Sequence, residues 1–270
     1  MTRPDTDEMV AELLASRKYR QLGIPPQTVH DLLEKELAVQ RNPREALKSV
    51  KHKLHNIVAP YLGDPDYAGA AVDFSAALAG DGVQSVRQLC SRLLESHAST
   101  RERMPILEAF YTRLFTVTGT PHSLLDLACG LNPFALPWMG LPLDVRYHAY
   151  DIHRPRVELI NHFLRLSGLS PDAEVRDVLV QPVEERADVA LFFKEAHRFE
   201  QRHKGANRAF WEGLNVRWLL VSLPTASLSG RHDLLDQQRR LVYGTLQGLP
   251  WPVQEEIFAT EIVFCIAKEP

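Results

Sequence analysis

At residues 126–133 the chain reads DLACGLNP: an acid at the end of an apolar run, then small residues and a glycine. After a strand, such a turn lets a ligand approach the backbone, because glycine has no Cβ. In a doubly wound sheet, ligands sit outside the carboxyl ends of the strands. A second run, Val145 to Tyr150, alternates and ends in Asp151, 25 residues after Asp126. A carboxylate there can accept from both hydroxyls of a ribose. A third run, Ala173 to Val178, ends beside Asp177. The Asp177 side chain and the backbone N–H of Val178 can hold an adenine edge.

A dinucleotide fold wants G-x-G-x-x-G to admit a pyrophosphate, whereas Gly130 stands alone at this turn. The pattern therefore suits S-adenosylmethionine, which has no pyrophosphate to cradle. The plain alternative is a strand–turn–helix whose glycine serves only the turn. Asp151 and Asp177 at the ends of the next two runs weigh against it.

HASTRER at 97–103 reads as a capping box, with Ser99 at the N-cap and Glu102 at N3. Arg103 adds a guanidinium fork that can clamp a carboxylate bidentately. Lys194 closes a fourth apolar run, where the group receiving a methyl would lie. Glu200 follows six residues later, and PTASL at 224–228 closes a fifth run in a loop able to cover a substrate. Phe199, Arg198 and Trp211 offer surfaces for stacking a base, with core packing as the alternative. His52 and His55 have no converging acid or cysteine, so no metal is expected. No G-x-S-x-G elbow or Cys–His signature supports nucleophilic hydrolysis.

The elements that must position these residues fall into two halves. Residues 1–115 read as helices throughout, with a break at Pro25-Pro26 and a stripe of Leu47, Val50, Leu54, Ile57 and Val58 after Pro43. Near Pro121 the period turns strand-like. Runs at 124–127, 145–150, 173–178, 187–193 and 216–223 alternate with helical stretches, which indicates a parallel α/β sheet. The last two runs, 253–260 and 261–267, are nearly contiguous and are expected to pair as an antiparallel hairpin. The expected division is a helical domain at 1–115 and an α/β domain at 116–270.

The 270 residues carry a net charge of −3, so no global basic field advertises a nucleic acid. Local charge is more informative. Residues 41–53 hold Arg41, Arg44, Lys48, Lys51 and Lys53 against Glu45 alone. Residues 194–217 hold six Lys or Arg against three Glu. Two basic clusters flanking a methyl-donor site suggest a polyanionic substrate. The 3 cysteines are far apart, which fits a reducing compartment and excludes a CxxC knuckle. A charged N-terminus and short apolar runs speak against a signal peptide or membrane span, so a cytoplasmic protein is expected.

Taken together, these residues resemble the 16S ribosomal RNA (guanine-N7) methyltransferases of the aminoglycoside-resistance type. SRKYRQL at 16–22 and KHKLHNI at 51–57 are similar to the family's helical N-terminal part. HASTRER, DLACGLNP, DIH at 151–153, FK at 193–194, SLPTASL at 222–228 and ATEIVF at 259–264 follow in the family's order. The resemblance implies a Rossmann-like methyltransferase sheet behind an all-helical N-terminal domain, with S-adenosylmethionine as cofactor. It implies a monomer acting on 16S rRNA of the 30S subunit, with aminoglycoside resistance as the consequence. Tyr61, His97, Ala98, Ser99 and Arg103 would then reach the cofactor from the N-terminal side. Ala128, Gly130, Asp151, Asp177, Val178 and Phe193 would line it from the sheet. Lys194 and Glu200 match positions near the target base, and Arg44, Lys48, Lys51, Lys53, Arg198 and Arg231 would meet RNA. The chain departs from the family between Glu195 and Phe199, at Ala226, and after Arg231. The alternatives are a methyltransferase of another RNA site or of a small molecule, and a non-catalytic RNA-binding protein.

Overall fold

The computed structural model describes residues 5–40, 42–58, 65–79, 82–226 and 234–269; Tyr61 and Arg231 lie outside them. The chain begins with α1 (Thr6–Ala15), α2 (Arg17–Arg20), α3 (Pro26–Val39) and α4 (Pro43–Val58). Pro26 starts α3, where its missing N–H would have had no partner. In α4 the buried residues Ala46, Val50, Leu54 and Val58 recur every fourth position and form one apolar stripe. That stripe closes a core with Val29, Leu32 and Leu33 of α3 and with Val10 and Leu13 of α1.

Next come α5 (Tyr67–Ala79), α6 (Val83–Ser96), the short α7 (Ala98–Arg101) and α8 (Leu107–Thr118). The remainder runs β1 (Ser123–Leu127), α9 (Leu136–Met139), β2 (Arg146–Asp151), α10 (Arg154–Leu166), β3 (Ala173–Val175) and β4 (Ala187–Phe193). It continues with α11 (Ala196–Arg202), α12 (Ala206–Gly213), β5 (Val216–Pro224), α13 (Leu235–Leu246), β6 (Val253–Ile257) and β7 (Glu261–Ala267).

The described strands form one seven-stranded sheet in the order β3-β2-β1-β4-β5-β7-β6. β1 pairs in parallel with both β2 and β4, so the order reverses there and a crevice opens at the carboxyl ends. β7 runs antiparallel to β5 and to β6, as the expected closing hairpin requires. Each face of the sheet has its own core. One holds Phe74, Phe110, Tyr111, Phe134 and Phe163 from the flanking helices, and the other holds Phe199, Trp211 and Val242. Trp211 is fully buried and Phe199 is 5% exposed, so both pack in the core, which was the alternative to stacking a base.

The early helices touch the sheet half directly. Arg154 N donates to Leu22 O at 3.0 Å, and Gly23 sits so close that an added Cβ would lie 2.6 Å from Arg154 Cβ. No side chain fits there. Thr28 Oγ1 donates to Asp177 Oδ2 at 2.9 Å, with Thr28 fully buried and Asp177 2% exposed.

Candidate methyl-donor and RNA site

The turn after β1 is built from left-handed backbone: Ala128 has φ 50° and Gly130 has φ 55°. Nothing lies within 4 Å of where a Gly130 Cβ would stand, so the space in front of this backbone is open. Asp151, at the end of β2, reaches across to it. Its Oδ2 accepts from Gly130 N at 2.9 Å and from Arg156 Nη1 at 3.2 Å, and its Oδ1 accepts from His153 N at 2.8 Å. This ties the ends of two adjacent strands together.

Two cavities open here. The larger, about 610 Å³, is lined by His97, Ala98, Ser99, Arg103, Gly130, Phe193 and Lys194 among others. The smaller, about 290 Å³, is lined by Asp177, Val178, Ile152, Arg202 and Lys53 among others. Ala128, Asp151, Glu195, His197 and Arg198 line both and mark where they join. The residues expected to line the cofactor therefore converge on these two spaces, apart from Tyr61, which is outside the described residues. An open glycine backbone, a strand-end carboxylate and an apolar Val178 wall fit a nucleoside joined to an amino acid.

Several expected details are corrected. The capping box does not form: His97 caps α7, its Nδ1 accepting from Ser99 N at 3.4 Å and sharing a 2.7 Å hydrogen bond with Ser99 Oγ. Glu102 instead takes Lys194 Nζ at 2.7 Å, and the same Nζ donates to Ser99 O at 3.1 Å. Arg103 clamps a carboxylate bidentately, but it belongs to the chain itself. Nε and Nη2 donate to Glu261 at 2.8 and 2.6 Å. Glu200 is not brought to either cavity: it accepts from Gly205 N at 2.6 Å and Asn207 Nδ2 at 3.2 Å, closing the turn between α11 and α12.

On α4, Arg44, Lys48 and Lys51 are exposed opposite the apolar stripe. Lys53 differs from them, because its Nζ pairs with Glu36 at 2.6 Å and it lines the smaller cavity. Arg198 lines both cavities. The second basic cluster is partly consumed internally, since Arg208 donates to Thr245 O and Gln247 O at 2.9 and 2.7 Å.

The larger cavity rests on a polar network in which Arg103 alone was an expected cofactor residue. Arg103 Nη1 and Tyr111 OH both donate to Asn132 Oδ1, at 3.0 and 2.6 Å. Asn132 Nδ2 and Tyr147 OH both donate to Asp126 Oδ2, at 2.9 and 2.5 Å. Burial pushes the Asp126 carboxyl up to about 7 despite these donors. Burial alone would raise Glu261 too, but Arg103 and then Lys194 hold it below the usual carboxylate range. Asn132 and Glu261 stand inside the motifs at 126–133 and 259–264. A charged residue opening the otherwise apolar run of β7 was the available signal.

Among the described residues no helix is long and apolar enough to cross a membrane, and no group of three His, Cys, Asp or Glu could hold a metal ion.

Comparison with known proteins agrees with this geometry. A family model described as ribosomal RNA methyltransferase (FmrO) matches residues 15–264. A 16S rRNA (guanine(1405)-N(7))-methyltransferase of Frankia casuarinae is 34% identical over 267 residues, covering 97% of this chain and 93% of that protein. One from Serratia marcescens is 31% identical, covering 97% and 98%. The solved structure of the 16S rRNA methyltransferase RmtF with S-adenosyl-L-homocysteine matches at TM-score 0.80 and 25% identity, covering 100% of both chains. The 16S rRNA methylase RmtB matches at TM-score 0.79 and 28% identity, covering 99% of this chain and 100% of that one.

Proposed function

The chain belongs to the FmrO family of ribosomal RNA methyltransferases, and from that premise we propose that it methylates N7 of a guanosine in the 16S rRNA of assembled 30S subunits. The observation that carries this reading is the joining of two cavities over Ala128 and Asp151, at the crevice where the strand order reverses. S-adenosylmethionine supplies an electrophilic methyl group when bound. The residues would divide the work of holding it. Asp151 accepts from the ribose diol, Val178 and Asp177 bound the adenine end, and Gly130 admits the chain to the backbone. His97, Ala98, Ser99 and Arg103 close the amino-acid end.

N7 of guanine carries a free lone pair and loses no proton when it gains a methyl. No general base is required, so the chain's contribution is alignment and exclusion of water. Lys194 stands at the rim beside Phe193 and is anchored through Ser99 and Glu102, which fixes that rim next to the incoming base. Arg44, Lys48 and Lys51 on α4 hold rRNA phosphates and set the docking register, with Arg231 as a further contact outside the described residues. The helices up to about residue 115 serve as the docking part and the sheet half as the catalytic part. The protein acts as a monomer in the cytoplasm, where small subunits are found. Aminoglycoside resistance follows where the modified guanosine lies in the drug's binding site.

The test is transfer of tritiated methyl to 30S subunits and to naked 16S rRNA, followed by mapping of the modified base. Label at one guanine N7, dependent on the assembled subunit, is expected. Label on another atom or on small molecules alone would overturn the reading.

A further inference from the structure

Glu195 and Arg198 open α11 immediately beyond β4, and both line the two cavities where these join. The other acids of this lining are already hydrogen-bonded within the chain. Asp151 is held by Gly130, His153 and Arg156, Asp177 by Thr28 and Arg202, and Glu102 by Lys194. The Glu195 carboxylate is different. Among the described residues its one ion-pair contact is Arg198 Nη1, 3.3 Å from Oε1, and its side chain has no hydrogen bond. Glu195 is also, among the described residues, the one ion-pair partner of Arg198, and the two side chains are 39% and 23% exposed, Arg198 first. A carboxylate and a guanidinium with spare capacity thus stand together at the mouth of the site, and the cofactor roles assigned above use neither.

The chemistry of the proposed substrate matches this pair. Along one edge guanine presents the acceptor O6 beside the donor N1–H, while adenine presents a donor at N6 beside an acceptor at N1. A base taken out of its stack is read along this edge by hydrogen bonds. We propose that Arg198 donates to O6 and Glu195 accepts from N1–H of the target guanine, so that the pair selects guanine and leaves N7 turned toward the methyl donor. The inference rests on the function proposed above and adds the residues that choose the base. No existing hydrogen bond of either side chain has to break for it.

Burial lifts the Glu195 carboxyl to about 7. Arg198 and Arg202 of α11 and Arg156 of α10 favour its charged form, and Asp151 at the end of β2 opposes it. Acceptance from N1–H needs the carboxylate, so the base-reading form is lost as pH falls through about 7.

The experiment measures methyl transfer to 30S subunits from pH 6 to 9 with wild type, Glu195→Gln, Arg198→Gln and the double variant, and S-adenosylhomocysteine affinity by calorimetry. Each single variant is expected to lose roughly tenfold or more in kcat/KM for 30S at pH 8, the scale of one lost charge-assisted hydrogen bond. The double variant should fall little further than either single one, because both act on one contact. Wild type should show an acid limb near neutral pH that Glu195→Gln lacks, with cofactor affinity unchanged. An active wild type beside an equally active Glu195→Gln, or a variant that keeps the acid limb, overturns this inference alone. A parallel loss of S-adenosylhomocysteine affinity overturns it in favour of a cofactor contact. A wild type that transfers no methyl to 30S overturns the proposed function, and this inference falls with it.

Discussion

Arg103 and Glu261 stand 158 residues apart in the chain and meet side by side, through bonds of 2.8 and 2.6 Å, with the arginine 3% and the glutamate 1% exposed. The pair joins the loop before α8 to the first residue of β7, under the floor of the larger cavity. Phe110 and Phe193 flank the guanidinium, each ring centroid 4.7 Å from its central carbon. Arg103→Ala leaves Glu261 as a buried charge, a loss of about 3–5 kcal/mol. Denaturant unfolding should show it, and S-adenosylhomocysteine affinity should fall as well. Lys35→Ala, which removes an exposed lysine paired with the half-buried Asp31, should change stability by less than about 0.5 kcal/mol and leave affinity alone. Equal effects of the two substitutions would contradict the role given to the buried pair.

Asp151→Asn retains size and one acceptor but loses the charge that Gly130 N, His153 N and Arg156 share. Cofactor affinity should drop by about 1.5–3 kcal/mol, the range for charge-assisted hydrogen bonds. Calorimetry on variant protein whose melting remains cooperative provides the measurement. Unchanged affinity would take Asp151 out of the site.

The carboxyl of Asp126 titrates near 7 in the fold, well above the range of an unfolded aspartate. A raised carboxyl pKa favours the folded state at low pH. This contribution is complete below about pH 4 and is lost as pH rises to about 7. Asp126→Asn can still accept from Tyr147 and Asn132 without ionising. It should therefore be more stable than wild type at pH 8, by on the order of 2 kcal/mol, and about equal at pH 4. Melting curves at the two pH values decide the matter, and a difference that does not depend on pH would refute it.

Replacing Lys48 and Lys51 by Glu should weaken 30S binding and flatten its dependence on salt, because fewer counterions are released. Cofactor affinity should stay the same. Wild-type KM for 30S across a salt series would show that this face is solvated and does not dock.

Most of the strands were legible because each is a short run rich in apolar residues closed by a charged residue, a glycine or a proline. What could not be read were the partners. Nothing local in HASTRER says that the Arg103 fork will meet residue 261, or that Lys194 will take the glutamate expected to cap a helix. His97 and Ser99 stand two residues apart and both have cap chemistry; His97 takes the cap, while Glu102 bonds Lys194. Thr28 and Asp177 lie 149 residues apart, and only the packing of α3 against the turn after β3 brings them together. Glu200 shows the reverse limit: a residue at an expected spacing from Lys194 turned instead to a backbone N–H five residues ahead.

The contacts of Leu22, Gly23 and Thr28 with Arg154 and Asp177 bear on how such a protein can be divided or recombined. A chain cut to begin after residue 118 would still contain every strand of the sheet. It would, however, leave Asp177 without Thr28, and Glu261 with Lys194 at 3.7 Å as its nearest remaining cation. Glu261 would then lack the bidentate partner it has in the full chain, Asp177 would keep Arg202 alone of its two side-chain partners, and the sheet face that α5, α6 and α8 cover would be bared, against a fold whose whole margin is about 5–15 kcal/mol. The sheet half is therefore not a transplantable catalytic cassette. A chimera between relatives stays folded only when its crossover delivers Thr28 and Arg103 together with the acids they serve, which makes the helical prelude part of the heritable unit of the enzyme.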